Sequence, residues 1–425
     1  MTQRSSFTYF LLIIGLNGVL GSLIGFFLPA YFKGLGFSGL QTGFYFAVST
    51  IAIMIMSLPM GISTDRLRIG WILAFSFLLM GLSKAGFLIS DSFLVFCIFS
   101  FLGSFGGRFY GTATNTMFYK ITGAKDNKNE VGIYQFIMFG TMAAGMMAGG
   151  LVIADFSFRH VFVLSVVGSG VLMVLSLFLP RNETAVIAVE EYKKAVLNKR
   201  VLVLTGIFVL SSLHWGAENV SYGPFLQQVL GLSIKQTALY TSLGFVFVGG
   251  GTWLAVPLIR KRIIKDLQSL LAIGFLMGGA FHVLMTVHNV YLSFTFRALH
   301  ELGDGFVFLV YYHGITKVFK IDKIGGCQAF MSLCTAIGSC ISSVLCGIIS
   351  DAWGPQWPLI ISGCIMAAVP LLLRTLDLKA LQDEPQAEDV AGSVVSQPAL
   401  AVSPAESIRD PREHAQAATS MPPDH

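Results

Sequence analysis

Four ionisable residues stand in the middle of an otherwise apolar stretch that runs from Val290 to Gly314: Arg297, His300, Glu301 and Asp304. They fall at i, i+3, i+4 and i+7, so a helix places them on one face. A charge near the centre of a bilayer costs at least ~2.5 to 3.5 kcal/mol even on the lenient insertion scale, so four together require partners or a water-filled cavity. Burial favours the neutral carboxylic acid, whereas a neighbouring guanidinium favours the carboxylate. Acids and an imidazole in such a setting can take up and release protons. The face is expected to form one wall of a transport pathway.

Other apolar stretches hold similar residues: Asn17, Arg108, and His214 with Glu218, which repeat the i, i+4 spacing of His300 and Asp304. Two chemistries stay open. In the first, Glu301 and Asp304 are the best proton carriers and Arg108 holds an anionic solute. Arg108 and Asp304 are expected at similar depth, which predicts that they approach across the cavity when no solute intervenes. In the second, His214, Glu218, His300 and Asp304 form a mixed imidazole and carboxylate site for iron, manganese or zinc. Arg108 and Arg297 weigh against it, because a cation site gains nothing from fixed positive charge nearby. The plain alternative to both is a structural ion-pair network, since Arg297 and Glu301 also stand at i, i+4.

The elements that position these residues follow from hydropathy. Of 425 residues, 54% are hydrophobic and 12% charged, about half the charged share of a soluble domain. Mean hydropathy is +0.72. Runs near ~20 apolar residues predict an all-α integral membrane protein with twelve transmembrane helices in two six-helix pseudo-repeats. The spans are expected at about 7–32, 40–60, 70–90, 93–118, 131–154 and 160–180, then 201–222, 236–258, 267–286, 290–314, 325–346 and 357–376. This gives an N-terminal bundle (1–180), a cytoplasmic linker (181–200), a C-terminal bundle (201–376) and a disordered cytoplasmic tail (377–425).

With the N-terminus in the cytoplasm, 22 of the 28 Lys and Arg fall on the inner side, Lys33, Arg159 and Lys235 on the outer, and Lys84, Arg108 and Arg297 inside spans. That asymmetry predicts both termini inside. His313 is expected at the membrane interface. The six cysteines all lie in apolar runs and read as small core residues. Leu35-Gly-Phe-Ser-Gly-Leu-Gln-Thr-Gly-Phe-Tyr45 and Leu230-Gly-Leu-Ser-Ile-Lys-Gln-Thr-Ala-Leu-Tyr240 share six of eleven residues and follow the first span of each half. Parallel repeats of six spans place a solute site at the interface of the halves near mid-membrane. The Gly-rich runs Gly145–Gly150 and Gly249–Gly251 suit close helix packing.

Between spans two and three, Gly61-Ile-Ser-Thr-Asp65-Arg66-Leu-Arg68 resembles the signature loop of the major facilitator superfamily. That loop has Asp-Arg four positions after its Gly, then a Gly and another basic residue. Here Arg68 stands where the later Gly is usual and Ile69 where the basic residue comes. Arg108-Phe-Tyr-Gly111 in span four is similar to the family's Arg-and-Gly motif, with its Gly one position early. The resemblance implies alternating access, with spans one, four, seven and ten lining the cavity. Gly61, Asp65, Arg66 and Arg68 then form a cytoplasmic gate that stabilises the outward-open state.

The resulting expectation is a secondary active transporter of a small polar or anionic solute, proton-coupled, in a bacterial inner membrane. No soluble portion is large enough for a catalytic domain, so no enzyme is expected. No phosphate-loop pattern occurs, and neither a cofactor, a nucleotide nor a nucleic acid is expected. A divalent metal carrier and a non-transporting receptor or scaffold are the alternatives.

Overall fold

A computed structural model describes residues 3–37, 39–123, 127–181, 184 and 188–373. The expected tail, 377–425, lies outside them. Twelve long helices follow one another: α1 (Gln3–Ser22), α2 (Gly39–Arg66), α3 (Ile69–Ile89), α4 (Phe93–Thr122), α5 (Lys128–Asp155), α6 (Phe158–Ser176), α7 (Lys199–Ala217), α8 (Ile234–Arg260), α9 (Leu267–Leu284), α10 (Val290–Val318), α11 (Ile324–Trp353) and α12 (Gln356–Leu373). Eleven of these stretches are long and apolar enough to cross a membrane. The remaining one, α10, has 29 residues and spans about 44 Å, but its ionisable residues lower its hydropathy.

The repeated sequence has a local cause. Gly36 and Gly231 occupy matching positions after the first span of each half, and both adopt positive φ, 83° and 68°, which glycine reaches without a Cβ clash. In the second half Ser233 then caps α8, accepting from the Gln236 N–H while the Gln236 side chain accepts from the Ser233 N–H. This capping box stops the chain and restarts it as a helix.

Two spans are broken where the sequence reads as continuous. α1 ends at Ser22 and passes through a 3₁₀ turn, Gly25–Phe27, into a short helix, Leu28–Gly34. α7 gives way at Ala217 to π-helical turns at Glu218–Tyr222 and Phe225–Val229. Pro224 lies between these turns; it has no N–H to donate and its ring crowds the preceding turn. Such widened turns recur at functional sites, and this one begins at Glu218.

The halves meet mainly through α2 against α11 and α5 against α8. At the end holding the linker, one apolar core runs through both halves and joins Phe10, Tyr119 and Tyr134 to Phe208, Tyr312 and Ile324. At the other end the apolar side chains separate into a cluster around Phe32, Phe87 and Phe96 and another around Tyr222, Phe225 and Tyr240. A small group, Phe27, Met146 and Ala238, touches both halves there. The protein is therefore closed at the linker end.

Glycines bring the helices close. A Cβ on Gly251 would stand 2.6 Å from the Leu302 carbonyl oxygen, and one on Gly303 2.7 Å from the Gly278 nitrogen. α10 is thus held tightly between α8 and α9. All six cysteines are free; Cys364 is exposed rather than part of the core.

Candidate functional site

The ionisable face of α10 turns into the second half of the protein. Arg297, His300, Glu301 and Asp304 are all buried, with Arg297 5% and His300 0% exposed. Arg297 holds Glu218 with both terminal nitrogens and also pairs with Glu301. Its guanidinium carbon lies 4.3 Å from the centre of the Tyr222 ring, a cation–π contact in a desolvated setting. Three imidazoles complete the ring. His214 Nε2 lies 3.0 Å from Asp304 Oδ2, and His300 Nε2 lies 3.3 Å from Glu218 Oε1 and 3.9 Å from Asp304 Oδ2. His282 of α9 lies 3.5 Å from Glu218 through Nδ1, and its Nε2 lies 3.3 Å from Ser362 Oγ.

Sequence reasoning missed His282, although it is the one ionisable group in the apolar run 267–286. That solitary position was the available signal. Tyr222 forms the floor beneath Arg297.

Backbone geometry fixes the protons of two histidines. His300 Nδ1 lies 2.7 Å from the Gly278 carbonyl oxygen, and His214 Nδ1 faces the carbonyl of Ser211. A carbonyl only accepts, so each Nδ1 must carry hydrogen. Each Nε2 then meets a carboxylate, which also only accepts when ionised. A hydrogen bond forms there only if a proton is added, on the imidazole or on the acid. Gly278 allows this arrangement, because it supplies the carbonyl and a Cβ there would sit 3.1 Å from Asp304 Oδ1. With one proton added at each of these two contacts, on the imidazole or on the acid, the three carboxylates, Arg297, His214 and His300 together carry no net charge.

One ring nitrogen each of His214 and His300 and a carboxylate oxygen of Asp304 all lie within 4.8 Å of one another, as do the ligand atoms of Glu218, His282 and His300. A divalent cation could be reached by either set, but Arg297 occupies Glu218 in the second.

Arg108 does not join the ring. Asp304 is engaged by histidines of its own half, and Arg108 donates instead to the Ala329 carbonyl of α11 at 3.4 Å. The expected pairing of Arg108 with Asp304 is therefore replaced, because the ionisable face of α10 turns toward α7 and α9 rather than toward the first half. Asn17 is buried and hydrogen-bonded to Tyr110 within the first half.

At the linker end Gly61 faces Gly325, Gly326 and Ala329 of α11. Asp65 accepts from the N–H groups of Gly325 (3.2 Å) and Gly326 (3.0 Å) and from the Tyr192 hydroxyl (3.1 Å), with Lys120 3.7 Å away. A carboxylate at the first turn of α11 gains from the helix dipole as well as from these bonds. Tyr192 belongs to a short linker helix, Val189–Val196, in which it is the buried residue. Arg68 has another task, donating to the carbonyls of Leu177 (3.0 Å) and Leu179 (3.2 Å) beyond the end of α6; Arg66 stands exposed at the end of α2. His313 is not interfacial but 1% exposed. Its Nδ1 lies 2.8 Å from the Asn127 side-chain oxygen, across the halves.

Comparisons with known proteins agree with this architecture. The family model described as Major Facilitator Superfamily matches residues 10–281 and 267–412. The chain is 24% identical over 387 residues to the uncharacterized MFS-type transporter YxaM of Bacillus subtilis strain 168, covering 84% of this chain and 92% of that one. Its fold is similar to that of the human organic anion transporter MFSD10 (TM-score 0.72, 11% identity, 88% of this chain and 99% of that one). It is also similar to the E. coli fucose:proton symporter FucP (TM-score 0.67, 16% identity, the same coverage). A multi-pass membrane transporter rather than an enzyme, the chain belongs to the Major Facilitator Superfamily.

Proposed function

We propose that this secondary transporter moves a small polar or anionic solute together with, or against, protons held by the buried ring of Arg297, Glu218, Glu301, Asp304, His214 and His300. The observation that supports this reading is the donor and acceptor count. His214 and His300 each commit Nδ1–H to a backbone carbonyl, so the hydrogen bond from His214 Nε2 to Asp304 calls for one added proton, and His300 Nε2, 3.3 Å from Glu218 Oε1, can take a second. Losing those protons leaves net negative charge in a buried site, which favours a conformation that readmits water. FucP is by name a proton symporter, which agrees with coupling of this kind.

On this reading the linker end faces the cytoplasm of a bacterial inner membrane, as the excess of Lys and Arg there indicates. The test is transport in proteoliposomes containing a pH-sensitive dye, with a panel of organic anions and sugars. Solute-dependent proton movement is expected, and Glu301→Gln or Asp304→Asn should abolish uphill uptake while sparing exchange. Solute flux without proton movement in the native protein would refute the coupling. A divalent cation as cargo is the second reading, favoured by the close approach of His214, His300 and Asp304. Mn2+ or Fe2+ flux that His300→Ala blocks would establish it instead.

A further inference from the structure

Arg108 is an arginine without a counter-ion. It sits midway along α4 at the boundary of the halves, partly buried, and among the described residues no carboxylate approaches it. Its guanidinium donates to the Ala329 carbonyl at 3.4 Å, at the long limit for a hydrogen bond, and its Nε is buried with no partner. The other arginine at membrane depth, Arg297, has two carboxylates. The cost of a guanidinium in hydrocarbon is therefore met for Arg297 and left open for Arg108. A planar fork with vacant donors is suited to a carboxylate.

The surroundings limit what else the ligand is. Tyr311 of α10 lies within electrostatic reach of Arg108, and its hydroxyl is bonded by Gln328 and Ser332 of α11. The Tyr311 ring meets Phe208 of α7 edge-on at 4.6 Å. Two turns further along α7, Trp215 stacks on Phe308 of α10 with centroids 5.7 Å apart and planes at 10°. These four rings form an aromatic strip that begins beside Arg108 and ends at His214, the neighbour of Trp215. Phe139 of the first half closes over Phe308 at 5.3 Å.

We infer that Arg108 anchors the charged end of the transported solute and that the solute is a monocarboxylate with an apolar or aromatic body lying along Phe208, Tyr311, Phe308 and Trp215. One unpaired guanidinium matches one negative charge; a phosphate dianion calls for a second cation, which the strip does not provide. The ligand replaces the long contact to Ala329 with a bidentate pair and touches both halves at once, so its binding bears on whether they stay together. This rests on the reading of the chain as a solute carrier, but not on proton coupling.

The experiment is ligand binding to the full chain purified in detergent, followed by thermal shift and by titration. Benzoate, phenylacetate, indole-3-acetate and hexanoate are compared with their amides and with phenyl phosphate. At least one carboxylate is expected to stabilise the protein, with its amide and phenyl phosphate each at least tenfold weaker. Arg108→Lys, which retains the charge but loses the fork, is expected to weaken binding about tenfold, and Arg108→Gln to abolish it. Should Arg108→Gln fail to elute as a monodisperse peak, the affinity of Arg108→Lys decides. Glu301→Gln is expected to bind the carboxylate while failing to move protons, which separates this proposal from the coupling proposal. Equal binding of acids and amides, preference for the phosphate, indifference to both Arg108 substitutions, or no binding by any carboxylate overturns it.

Discussion

Removing one hydroxyl from the linker should release the closed end. In Tyr192→Phe, Asp65 keeps the N–H groups of Gly325 and Gly326 and the nearby Lys120 but loses its third direct hydrogen bond. The phenyl ring still fills its place beside Gly326. A hydrogen bond to a charged acceptor contributes ~1.5 to 3 kcal/mol. The same groups are hydrated once α2 and α11 separate, so that amount applies to the closed state alone. The population opened toward the linker should rise roughly 10- to 150-fold. Burial and the Asp65 carboxylate both push the Tyr192 phenol above its ordinary value. It therefore stays protonated, and the bond is maintained well into the alkaline range. The assay is pulsed electron resonance between spin labels at Leu67 and Lys320, both exposed at the linker end on opposite halves, in a background without native cysteines. Tyr9→Phe is the control, because that hydroxyl bonds Leu175 inside the first half, and Asp65→Ala defines full release. If Asp65→Ala lengthens the distance and Tyr192→Phe leaves it as in Tyr9→Phe, the linker has no part in the lock.

Two substitutions probe the frame of the ring without touching an ionisable group. Gly278→Ala places a methyl 2.4 Å from Met366 Cε, which must turn aside, and 3.1 Å from Asp304 Oδ1, so it should impair uphill transport severalfold while solute binding persists, a split read by comparing uptake with equilibrium binding. Gly251→Leu forces α8 away from the Leu302 backbone, and overpacking of this kind costs about 1 to 3 kcal/mol; the expected outcome is a lower melting temperature by tryptophan fluorescence with the same ligand preference.

How much of this was legible in the sequence depends on what each signal measures. Hydropathy counts the spans, and the spacing of Arg297, His300, Glu301 and Asp304 gives a face of α10. Spacing does not say which neighbour the face meets. That is decided by Gly278 and Gly303, which let α9 approach until a backbone carbonyl reaches His300. The same approach moves the ionisable cluster off the midline into the second half and leaves Arg108 without Asp304. His282 went unread because a single imidazole in an apolar run has no periodic partner on its own helix; its partner, Glu218, comes from another. The break at Ala217 was also hidden, since Pro224 lies past the point where the π-helical turns begin. Asp65 meets the start of α11 across the halves, whereas Arg68 is drawn to the carbonyls beyond the end of α6, contacts that hydropathy and motif spacing do not encode.

Every member of the ring comes from the second half of the chain, and Arg108 comes from the first. On the proposed reading, the proton-holding groups and the rings that meet the body of the solute lie in one stretch of the gene, and the anchor for its charge in another. A recombination event within the linker could exchange one without rewriting the other, provided the new first half brings its own Asp65 to the start of α11. A chimera built at that junction is thus a rational route to carriers in which the charge preference for the solute changes while the proposed proton site and aromatic strip stay as they are.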